Sequence, residues 1–203
     1  MAQSNEISTS IESQPEDNQY RAGAYSLLAA LLRSEPDTAL LERASAFAES
    51  FAGDELGASL ATLGAASKAV KQEDVKHEYF SLFIGIGRGE LLPYGSWYLT
   101  GFLMERPLGE LRSDLAQLGF ERQATNKEPE DHVAALCEVM SMLASEPDSF
   151  EMQRTFFTRH MAPWLSRFFN DLGKAKNASY YQAVARFGTA FTAFEEDYMG
   201  MQV

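Results

Sequence analysis

One cysteine in 203 residues leaves no partner for an intrachain disulfide. Cys137 sits in an apolar helical stretch beside Leu136, Val139 and Met140, where burial makes a thiol inert. No apolar run reaches the roughly 20 residues that a membrane helix needs. Residues 1–16 lack the basic region and following apolar run of a secretory signal. The expectation is a cytoplasmic protein with no stable membrane insertion. Basic residues are scarce: 17 Lys and Arg stand against 29 Asp and Glu, a net charge of -12. Neutralising phosphates needs a basic face, so nucleic acid is not an expected partner and a basic polypeptide is a better one. Sustained strand alternation is also missing, so sheet content is expected near zero.

Helical spacing fills the rest. Residues 1–16 are rich in Ser, Gln, Glu and Asn, a composition that predicts a disordered tail. Residues 17–203 read as a single all-α unit, an irregular bundle of many helices. Asp17 or Asn18 is placed to cap a first helix carrying Leu27, Leu28, Leu31 and Leu32, and Pro36-Asp37 separates it from a second. A helix from about Glu73 breaks into Gly85-Ile86-Gly87-Arg88-Gly89 and restarts after Pro93-Tyr94, running from Ser96 through Met104. Another runs from Pro107 to Leu118 and is stopped by Gly119. The polar segment 121–128 is the expected hinge between an N-terminal and a C-terminal helical part. Beyond it come helices at about 129–145, 148–172 with a kink near Ala162 before Pro163, and 178–198.

Several patterns invite a chemical reading. Asp131-His132 is a neighbouring carboxylate and imidazole at a helix start, the pair that a general base and its orienting acid would supply. The simpler account puts Pro129 at the first helical position, Glu130 and Asp131 in the first turn where the free amides favour carboxylates, and His132 half-buried in line with Leu136 and Val139. Glu73 with His77 and Glu128 with His132 have i,i+4 spacing, but di-iron bundles use Glu-x-x-His, so exposed pairing explains them and no metal is expected. The glycine cluster has neither the preceding strand nor the Lys-Ser/Thr of a phosphate-binding loop, so it reads as a turn and no cofactor is expected. Tyr79, Phe80, Phe83, Trp97, Tyr98 and Phe102 are expected in the core, whereas Tyr94, in an irregular segment, is expected at the surface.

Three blocks carry a family likeness: Glu78-Tyr79-x-x-Leu82-Phe83-x-Gly85, Pro93-Tyr94-x-Ser96-x-Tyr98, and Pro129-x-Asp131-His132 followed by Leu136, Glu138 and Met140. A weaker echo is Phe156-Phe157-x-x-His160-x-x-Pro163-Trp164. In order and spacing the chain resembles the redox-enzyme maturation chaperones of the TorD/DmsD/NarJ type. The resemblance implies an all-helical, non-enzymatic chaperone that binds the twin-arginine leader or apo-form of a molybdopterin-dependent oxidoreductase, aids cofactor insertion and delays export. It implies Asp131 and His132 as contacts to the client's leader, bordered by Glu78, Pro93, Tyr94, Ser96 and Tyr98. Gly95 stands where many relatives carry an acidic residue. Relatives exist as monomers and as domain-swapped dimers, and both states are open. The alternatives are a helical nucleotide-hydrolysing enzyme using Asp131 and His132, and a permanent structural partner subunit. The leader account predicts that Asp131→Ala and His132→Ala weaken client binding with little change in melting temperature. It also requires the segments at Pro93 and Pro129 to lie side by side.

Overall fold

The computed structural model describes the backbone over residues 5–50, 53–121 and 128–201, and side chains over 17–50, 53–121 and 128–200. Ten α-helices lie among the described residues: α1 (Asn5–Arg33), α2 (Thr38–Ser45), α3 (Glu55–Ala69), α4 (Gln72–Tyr79), α5 (Gly95–Thr100), α6 (Arg106–Gln117), α7 (Val133–Ser145), α8 (Phe150–His160), α9 (Leu165–Lys174) and α10 (Tyr180–Met201). The fold is all-α; the sole extended pairing among the described residues is an isolated bridge between Tyr94 and His132.

Local chemistry sets several boundaries. Asp37 takes the Leu40 amide at 2.7 Å and starts α2, and Asp54 takes the Gly57 amide at 2.7 Å and starts α3. Gly119, at φ +81°, follows the end of α6. The kink expected near Ala162 is a full break between α8 and α9, with the Trp164 indole donating to the His160 carbonyl at 2.7 Å.

Two helix boundaries and two burial expectations differ from the sequence reading. Helix α1 begins at Asn5, earlier than a cap at Asp17 or Asn18. The side chains of the tail expected over 1–16 are outside the described residues, as are residues 122–127 of the expected hinge. Helix α5 stops at Thr100 because Gly101 turns left-handed at φ +82°, and this carries Phe102 into solvent at 68% exposure instead of the core. Phe80, at the start of a π-helical turn spanning Phe80–Ile84, is also exposed.

Helix α1 packs along α7, and α10 packs against α9 and α3. Their apolar faces join one core that includes Leu28, Leu32, Leu136, Met140, Phe169 and Phe187. Cys137 is fully buried there, and burial pushes its thiol pKa upward. Across this core Arg21 of α1 makes a bidentate pair with Glu195 of α10, at 2.6 and 2.8 Å, while Tyr25 donates to the same carboxylate and Gln153 of α8 accepts from Arg21. A buried pair satisfied this fully tolerates loss of neither partner.

Candidate functional site

The broken helix and the segment after Pro129 meet. Gly85, at φ +62° and ψ 177°, ends the π-turn with a backbone conformation that a Cβ would obstruct, since one built there lies 2.1 Å from the Arg88 carbonyl oxygen. The chain doubles back, with the Leu91 amide donating to the Leu82 carbonyl at 2.8 Å. It then runs extended through Pro93 and Tyr94 alongside Asp131 and His132. The Gly95 amide donates to the Asp131 carbonyl at 2.9 Å, and the Val133 amide to the Pro93 carbonyl at 2.8 Å. The Tyr94 and His132 rings meet edge to face, with centroids 5.2 Å apart.

The side chains at this juncture tie two helix starts together. Asp131 Oδ2 accepts the Ser96 amide at 2.8 Å and so caps α5 from outside that helix. His132 is the N-cap of α7, its Nδ1 accepting the Ala134 amide at 3.1 Å. Helix α7 therefore starts at Val133, and Glu130 and Asp131 precede it instead of occupying its first turn. Burial, and then the Arg33 charge, lower the His132 pKa to about 3, which keeps the ring neutral with Nδ1 as acceptor. Asp131 is 3% exposed, His132 5% and Ser96 0%. These three support the surface from beneath and are not its outermost groups. Unchanged melting on removing Asp131 is accordingly not expected.

Tyr94 is half-buried; its hydroxyl bonds to Glu128, and burial followed by that carboxylate raises its pKa. The two remaining candidates lie elsewhere. Glu78 takes the Ser179, Tyr180 and Tyr181 amides at 2.7, 3.0 and 2.7 Å, capping α10. Tyr98 faces α9, stacked on Trp164 at 5.5 Å and approached by Arg167. Gly95 lies against that indole: a Cβ there is 3.2 Å from Trp164 Nε1, so a side chain at this position points into the α5–α9 packing.

Beside the juncture opens a groove of about 750 Å³. Leu115, Ala116 and Arg112 of α6 form one wall, and Glu128, Pro129 and Glu130 form the lip. Ala135, Val139 and Met142 of α7 supply an apolar floor. The lip is held from two directions, by Tyr94 on Glu128 and by Arg112 on Glu130 at 2.8 Å. Arg33, Glu138 and Met142 also line an adjoining cleft of about 550 Å³ between α1, α2 and α7, so the two cavities follow one another along the α1–α7 seam. Sequence spacing did not single out Arg33, Arg112 or Met142, because their relation to Pro129 depends on how four helices pack. Neither Asp131 nor His132 lines the groove, and His132 Nδ1 is engaged, so the hydrolytic reading lacks an accessible base.

The family described as nitrate reductase delta subunit matches residues 52–170. Tat proofreading chaperone DmsD of Haemophilus influenzae is 30% identical over 116 residues, 56% of each chain. Chaperone protein TorD of Aliivibrio fischeri is 26% identical over 205 residues, 90% of this chain and 95% of that one. These relatives carry the names of chaperones, not of enzymes. Among solved structures, a redox enzyme maturation protein from Archaeoglobus fulgidus shares the fold, with a TM-score of 0.57 at 24% identity over 87% of this chain and 93% of that one. No helix among the described residues is long and apolar enough to cross a membrane.

Proposed function

The chain belongs to the nitrate reductase delta subunit family, whose relatives include TorD and DmsD chaperones, and from that premise we propose that it is a cytoplasmic chaperone for the precursor of a molybdopterin-dependent oxidoreductase. It holds the leader or the apo-form of that enzyme, assists cofactor insertion and delays export. The observation that carries this reading is the groove beside the Pro93–Pro129 juncture. It combines an apolar floor at Val139 and Met142 with four lining carboxylates, Glu121, Glu128, Glu130 and Glu138, against two arginines. Such a surface suits an amphipathic basic segment docked as a helix in a groove: buried anchors give affinity and the acidic margin gives attraction and orientation.

Asp131, His132, Ser96 and Pro93 take part by holding the lip in register, and Tyr94 takes part by anchoring Glu128. A complex in the micromolar range corresponds to about 8 kcal/mol, within reach of a few leucine-sized anchors with modest charge pairing. Calorimetric titration of the full chain with the leader peptide of its precursor tests the reading. Binding should weaken modestly from low to high salt, by about 1 kcal/mol or less per exposed pair. No heat of binding with either the leader or the apo-enzyme would refute it.

A further inference from the structure

The two cavities along the α1–α7 seam are separated by one ion pair. Arg33, the last residue of α1, donates through Nε to Glu138 Oε1 at 3.0 Å and through its terminal nitrogen to Oε2, a bidentate pair. Both residues line both cavities, and so does Met142, one helical turn beyond Glu138 on α7. The Arg33 side chain is 28% exposed and that of Glu138 is 47% exposed, so either can exchange its partner without being stranded in the core. Met142 is 48% exposed, an apolar side chain presented to solvent between the two cavities.

We infer that Glu138 is the specificity-determining group of the groove, reading a basic side chain on the occupant, and that Arg33 is an intramolecular competitor which must be displaced when a long segment binds. This rests on the groove being the client site. An occupant spanning both cavities crosses the pair. If it is an amphipathic helix with apolar residues on Val139 and Met142 and an arginine one turn away, that arginine arrives at the Glu138 carboxylate. One bidentate contact is exchanged for another, so the step is nearly neutral for an arginine and unfavourable for a segment that has none. The Arg33–Glu138 pair thereby rejects purely apolar helices, a case of selection by an opposing contact as well as by an attractive one.

The test uses the full chain and two synthetic fluorescent peptides: an amphipathic helix with leucines on one face and a single arginine one turn from them, and its twin with citrulline in place of arginine. Arg33→Ala should tighten the arginine peptide by about two- to fivefold, the range expected for one exposed pair, whereas Glu138→Gln, which removes the pair broken together with the pair formed, should leave it nearly unchanged. The citrulline peptide should bind the wild-type protein more weakly than the arginine peptide and should tighten by a similar factor in Glu138→Gln, where no pair has to be broken, so that this variant no longer tells the two peptides apart. Equal binding of both peptides, unmoved by either substitution, overturns the inference. Met142→Asn separates this from the broader reading. If it weakens both peptides while Arg33→Ala and Glu138→Gln do nothing, the groove is the site and Glu138 is not its reader. If it changes neither, or neither peptide binds at all, the groove assignment and the inference fall together.

Discussion

Asp131 Oδ2 is the acceptor for a buried amide, that of Ser96, at 2.8 Å. Asp131→Ala strands that donor in a site where both residues are almost fully enclosed, which should cost about 1–3 kcal/mol. The loss should appear as a drop of several degrees in Tm, at roughly 2–4 °C per kcal/mol for a chain of this size. An unchanged Tm would mean that the capping contact contributes nothing. His132 gives a pH prediction. Its folded pKa of about 3 lies well below the ordinary histidine value near 6.5. Between those two values the unfolded chain binds the proton and the native state does not, so stability rises with pH in that window and is lost on acidification. His132→Asn keeps a capping acceptor and removes the titration. From pH 7 to pH 5 the wild type should lose up to about 2 kcal/mol more than the variant, read from urea midpoints at the two pH values. Parallel losses would show that His132 does not remain neutral in the fold.

Glu78 acts at the scale of the element. Lying in α4, it takes three amides at the start of α10, and Glu90 from the returning loop takes the Lys176 and Asn177 amides at 2.6 and 3.1 Å. Glu78→Ala should speed hydrogen exchange at the Ser179, Tyr180 and Tyr181 amides and cost about 0.5–2 kcal/mol, with leader affinity unchanged. A loss of affinity without a change in exchange would return Glu78 to the binding surface. The contrast between helix ends shows what the sequence made legible. The Asp37 cap and the Gly119 stop sit within a few residues of the backbone they serve, so composition revealed them. Glu78 serves amides about a hundred positions away, and no local pattern carries that. The same reason moved the start of α7 from Pro129 to Val133: residues 93–95 compete for the backbone of 131–133 through the extended bridge, and helix propensity alone does not register such a partner.

At the scale of the whole molecule, the all-α class followed from apolar spacing, and the meeting of the Pro93 and Pro129 segments followed from the resemblance of three short blocks. What stayed hidden was assembled from distant pieces: the Arg21–Glu195 pair spanning α1 and α10, the α1–α7 seam with its two cavities, and the placement of Asp131 and His132 below the surface instead of on it. The aromatic blocks mark residues that hold the groove in shape, while its lining, Pro129 and Glu138 apart, comes from positions that no motif marked. The central claim is therefore spatial: the client's leader lies along α7 beside the Glu128–Glu130 lip. The most direct measurement places a photo-crosslinking residue at Met142, and in a second sample at exposed Gln182 on α10 outside the groove, and irradiates each with the full-length precursor. Adducts to the leader are expected from position 142 and none from position 182. Leader adducts from position 182 with none from position 142 would contradict the central claim.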